Sequence, residues 1–133
     1  RQPQEPVPPE QGCLTSQFQT RRRSQRFRWS WKDVPMFRHV LLMTVRPDAR
    51  PAEVKGLVEA LRGLPAQIPE ILSYRVGEDL GLRDDNATLA LVGEFADERA
   101  WRTYLAHPAH RAVVTEHVEP VVAARQSVQF IAD

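Results

Sequence analysis

A chain of 133 residues is long enough for one domain with a buried core and too short for two full ones. Its 42% hydrophobic and 26% charged residues are ordinary for a globular protein, and no run approaches the roughly 20 apolar residues of a membrane-spanning helix. The formal net charge of +1 conceals two unlike segments: residues 1–35 carry seven basic and three acidic side chains, whereas residues 36–133 carry 11 basic and 14 acidic.

Residues 1–35 hold five of the 11 prolines, clusters of Gln and Arg, and almost no aliphatic side chains. Such a segment buries too little apolar surface to offset its ordering entropy, so a disordered, basic, proline-rich tail is expected. It ends in "RFRWSWK", where Phe27, Trp29 and Trp31 alternate with polar residues. Cations with interleaved rings suit nucleic acid. The alternative is an upstream extension outside the working domain, with Met36 as a candidate start. The only cysteine, Cys13, lies in this tail, so no internal disulfide forms and nothing calls for an oxidising compartment. A cytoplasmic location without membrane association is expected.

From residue 37 the pattern changes. "FRHVLLMTVR" (37–46) is β-branched and aliphatic and predicts a strand with both faces covered. In "RPAEVKGLVEALRGLP" (50–65), Val54, Leu57, Val58, Leu61 and Leu64 share one helical face; Pro51 suits the first turn, and Gly63 with Pro65 ends the helix. "ILSYRVGED" (71–79) predicts a second strand, "GLRDDNA" (81–87) a polar turn, and "TLALVGEF" (88–95) a third strand. Asp97 is a candidate N-cap for a helix over 98–106, and Pro108 opens another helix running to about 119 or beyond. "RQSVQFIA" (125–132) alternates Val128, Phe130 and Ala132 against Ser127, Gln129 and Ile131 and closes the chain as a strand.

The order β-α-β-β-α-β, with its second helix broken, predicts an α+β, ferredoxin-like domain over residues 36–133: a four-stranded antiparallel sheet with helices on one face. The first and third strands are apolar on both parities, so the uncovered sheet face needs a partner. Sheet-on-sheet pairing of two copies into a barrel is the simplest one.

The segments "FRHVLLMTVRP", "LPAQIPEILSYRVGEDLG", "LALVGEF" and "YLAHPAHRAVV" occur in the order, and with the motifs, of the stress-responsive A/B barrel family, the Dabb or dimeric α+β barrel domain, which residues 36–132 resemble. His39, "IPEIL" leading to Gly77, and "HPAH" carry the resemblance; "HPAH" separates it from the related monooxygenases of antibiotic biosynthesis. The resemblance implies a homodimer. A plant polyketide-cyclase branch of the family resembles the chain at the same motif and uses a tyrosine and a histidine as an acid–base pair in an aldol cyclisation; the matching positions are Tyr104 and His110. The side chains that shape a substrate cavity lie outside the motif, so the substrate does not carry over.

Pro108 makes His107 a junction residue and places His110 in a first helical turn, where unpaired N–H groups and the helix dipole disfavour an imidazolium. A neutral His110 suits a general base. His110, Val113, Val114, His117 and Val121 fall on one helical stripe, so the competing reading is of hydrogen-bonded core histidines that fix the junction. His39 faces either core or cavity. Trp101 and Tyr104 suit a core better than a cofactor stack. A zinc site lacks ligands: the domain has no cysteine, and His117 stands roughly 10 Å along the helix axis from His110. No phosphate loop, nucleophile elbow or dinucleotide fingerprint is present.

The expected function is a homodimer that binds a small apolar or aromatic molecule, with no cofactor and no metal. The net charge of −3 over residues 36–133 speaks against nucleic acid. If catalytic, the chemistry is cofactor-free proton transfer of a cyclase, lyase or isomerase kind, with His110 and Tyr104 at the centre and His39 and His107 supporting them. The alternatives are a polyketide-cyclase-like aldol cyclisation and a non-catalytic stress-response or accessory module.

Overall fold

The computed structural model describes residues 11–12, 14–15 and 35–133. The expected disorder of the tail and its aromatic alternation lie outside the described residues, in which Gln11–Gly12 and Leu14–Thr15 form a short parallel pair. The unit from Pro35 to Asp133 carries all that follows.

Strand β1 (Met36–Val45) leads through Pro47 to helix α1 (Pro51–Arg62). The Glu53 carboxylate caps α1 by accepting the Arg50 N–H at 2.9 Å. Beyond Gly63 the chain tightens into a 3-10 turn, Leu64–Ala66, that buries Leu64. Strand β2 (Ser73–Glu78) follows, and then the polar turn, where Asp79 accepts from the Gly81 N–H at 2.9 Å. Gly81 sits at φ +77°, which suits glycine. Strand β3 (Leu89–Phe95) gives way to helix α2 (Glu98–Ala106), capped as expected by Asp97, whose Oδ1 accepts the Ala100 N–H at 2.9 Å. Helix α3 (Pro108–Val113) starts anew at the proline, and strand β4 (Val122–Ala132) closes the domain.

The sheet order is β2-β3-β1-β4, every pair antiparallel. This is the ferredoxin-like β-α-β-β-α-β topology. Registers such as His39 opposite Gly93 and Gln129 fix which parity faces the helices. Phe37, His39 and Met43 of β1, and Leu89, Leu91 and Phe95 of β3, turn inward and pack on Leu57, Leu61, Leu64 and Tyr104. The other parity of the sheet leaves Leu42, Val92, Val128 and Phe130 exposed around one ion pair, Arg38 Nε to Glu94 Oε2 at 2.7 Å.

Two elements depart from expectation. The last helix does not run on as one α-helix: residues Val114–Val118 widen into a π turn, in which the Glu119 N–H reaches back to the Val114 carbonyl, before a final turn Glu119–Val121. Pro120 has no N–H for the usual i to i−4 bond. At the helix end the Pro120 and Glu119 carbonyls accept from the Arg46 guanidinium. The predicted stripe still faces inward, with Val113 and Val121 buried. Val118 is also buried, and the imidazole of His117 turns to the backbone of Gly56 in α1. β4 begins three residues earlier than expected because it keeps pairing with β1 past a register shift at Thr44/Val45.

Candidate functional site

α2 ends and α3 begins at one residue, His107. Between them and β1 and β4 is a cavity of about 440 Å³, within the range of small-molecule sites. Aliphatic residues of β1, β3 and α1 (Leu41, Met43, Leu91, Leu61) form its floor, and its polar groups come from His39, Tyr104, His110 and the β4 edge.

Tyr104 is fully buried, and its ring lies 4.4 Å, centroid to centroid, from that of His110. Its hydroxyl pairs with that of Tyr74 on β2, 2.6 Å away. Burial pushes both phenols up, Tyr104 to about 12 and Tyr74 further. Either hydroxyl can be the donor in the bond they share.

The Nδ1 of His110 lies 3.2 Å from the Leu105 carbonyl. A carbonyl only accepts, so Nδ1 carries the proton and Nε2 keeps its lone pair. The His110 pKa is lowered, first by burial and also by the nearby positive charge of Arg125, against the opposing pull of the Leu105 bond. His110 is therefore neutral at pH 7, with desolvation the largest cause.

His39 is buried to 6% exposure beside Trp101 and Tyr104. Its Nδ1 accepts from the Gln129 amide at 2.9 Å, which leaves Nε2–H as a donor. Burial, with His110 close by, lowers its pKa to about 4. His107 lies elsewhere: its Nδ1 accepts the Ala109 N–H at 3.0 Å and caps α3, outside the cavity lining. The structure thus brings Tyr104, His110 and His39 together and assigns His107 to the helix junction.

Three contributors had no sequence-level role. Tyr74 gave no signal, because only tertiary packing brings β2 to α2. Gln129 and Arg125 did leave one, the polar parity of "RQSVQ", but which parity faces the helices is not written in the alternation. The indole N–H of Trp101 is buried without a hydrogen-bond partner among the described residues and lies among the rings of Phe37 and His39. Among the described residues no three His, Cys, Asp or Glu side chains cluster as metal ligands, and no helix is long and apolar enough to cross a membrane.

Solved structures share the fold. A dimeric ferredoxin-like protein of unknown function from Thermobifida fusca is 37% identical, with 74% of this chain and 92% of that chain covered and a TM-score of 0.67. A dimeric ferredoxin-like protein of unknown function from Bacteroides fragilis is 26% identical, covering 71% and 94%, with a TM-score of 0.64. A hydroxynitrile lyase from Passiflora edulis, at 18% identity, covers 74% and 94% with a TM-score of 0.66, a likeness of fold alone. No curated protein matches the chain. Residues 37–132 match the family described as Stress responsive A/B Barrel Domain, Dabb. The chain belongs to that family and carries in it a cavity of small-molecule size.

Proposed function

We propose that the domain binds a small apolar or aromatic molecule in the cavity under α2 and α3 and performs cofactor-free proton transfer on it. His110 is the base, acting through Nε2. Tyr104 donates to the oxygen on which charge develops, and Tyr74 holds the Tyr104 hydroxyl in place. His39, through its Nε2–H, is a second donor. The observation that carries this reading is the His110 imidazole, kept neutral by burial and fixed in one tautomer by the Leu105 carbonyl, against the ring of Tyr104. An intramolecular aldol cyclisation, in which a C–H beside a carbonyl is removed and the resulting enolate attacks a second carbonyl, is one reaction that this pair of groups supports.

The working form is a homodimer joined through the sheets. The exposed Leu42, Val92, Val128 and Phe130 support this, since a contiguous apolar face of that kind is unfavourable in water. So does the dimeric state by which the relatives from Thermobifida fusca and Bacteroides fragilis are described.

His110→Ala tests the reading. Turnover of a polyketide-like or 1,3-dicarbonyl substrate falls by about 10²–10⁴-fold while the dimer persists. Unchanged turnover assigns His110 to structure. The competing reading, an accessory module in which "HPAH" only holds the helix junction, draws on the cap made by His107. It expects the same substitution to cost stability and no activity.

A further inference from the structure

The edge strand β4 inverts the pattern that a two-layer fold favours. Its helix-facing positions, in register with Met43, Leu41 and His39, are Arg125, Ser127 and Gln129. Its apolar residues Val128 and Phe130 face the other way. Arg125 and Ser127 are exposed and Gln129 is half-buried, so this edge of the cavity is polar and open to solvent. Gln129 pairs with His39. Arg125 is in no such pair: the ion pairs among the described residues are Arg38–Glu94, Arg50–Glu53, Arg83–Asp85 and Arg102–Glu98. Arg125 and Ser127 both line the cavity, whose described lining contains no carboxylate and, with its histidines neutral, no other charge. A guanidinium and a hydroxyl two residues apart on one strand face stand about 7 Å apart at their Cα atoms, close enough for one planar oxyanion to meet both.

We propose that Arg125, with Ser127, anchors the carboxylate of a small oxo acid whose apolar body lies over Leu41, Met43 and Leu91 and whose enolisable carbon is presented to His110. The oxo group rests on the acid–base reading above; the carboxylate rests on β4 alone. An arginine is suited to the task because its planar fork meets both oxygens of a carboxylate and nothing in the lining competes for it. Arg125 and His110 line the same cavity, so the anchor and the base meet one ligand.

The test uses the full chain and two isosteric probes, 3-phenylpropanoate and 3-phenylpropanamide, followed by backbone amide shifts. The carboxylate binds about tenfold or more tightly than the amide and moves the Leu41 and Ser127 resonances. Arg125→Gln brings the two affinities together, and Arg125→Lys retains part of the difference. Equal affinities in the unaltered protein, a preference that survives Arg125→Gln, or no binding of either probe overturns the anchor. Deuterium uptake at C3 of 3-phenyl-2-oxopropanoate is measured beside it with His110→Asn. Uptake that ignores His110 removes the acid–base reading and leaves the carboxylate anchor standing; loss of the carboxylate preference with His110-dependent uptake does the reverse.

Discussion

His110 and His39 share a pocket and a low basicity but have different tasks. His110 keeps its lone pair at Nε2, whereas His39 spends Nδ1 on Gln129 and offers only a donor. Because the pKa of His110 is depressed, the acid limb of its pH–activity profile falls below the ordinary histidine value of 6.5; a limb at or above that value in kcat/KM removes it as the base. His39 acts on stability. Its folded pKa, about 4, lies below the unfolded value of 6.5, so the unfolded chain binds the extra proton between those limits. Its contribution is complete above pH 6.5, declines as pH falls toward 4, and is flat below. Urea unfolding from pH 7.5 to about 4 records this decline, and His39→Gln lessens it.

The junction between α2 and α3 is the element that makes the site. Pro108 cannot continue α2, and the His107 imidazole takes over one N–H that the new helix leaves unpaired. The turn so formed holds the Leu105 carbonyl where it orients His110. His107→Ala costs about 1 kcal/mol in thermal or urea unfolding; a cost within error assigns the cap no weight. One helix later the chain makes a π turn ahead of Pro120, and His117 lies against Gly56 of α1 and outside the cavity lining. The stripe through His110, Val113, Val114, His117 and Val121 does face inward: Val113 and Val121 are buried and His110 and Val114 line the cavity, while His117 packs on α1.

At the scale of the molecule, the sheet has two unlike faces. The helix side holds the apolar core and the cavity that contains His39, Tyr104 and His110. The other side combines Val128 at 54% and Phe130 at 44% exposure with the Arg38–Glu94 pair, in which the Glu94 side chain is 12% exposed. A second copy placed there covers the apolar residues. Phe130→Lys sets a charge in that interface and yields a folded monomer in sedimentation velocity. A dimer unaffected by Phe130→Lys lies on some other face.

Much of this was legible in the chain. Periods of 2 and 3.6, Pro51 and Pro108 at helix starts and Asp97 as a cap are local, and local chemistry decides them. The element order then leaves few topologies, so the ferredoxin-like fold followed from sequence, and "YLAHPAH" with its resemblance pointed to Tyr104 and His110. What only the tertiary structure decided is what depends on residues distant in sequence. Tyr74 meets Tyr104 across 30 positions and Gln129 meets His39 across 90. The face that β4 turns to the cavity is set by its register with β1, and a shift of one residue would exchange Arg125 and Ser127 for Ala124 and Gln126. Hydrogen bonding within one turn is written in neighbouring residues; desolvation, which sets the charge state of both histidines, belongs to the packed molecule.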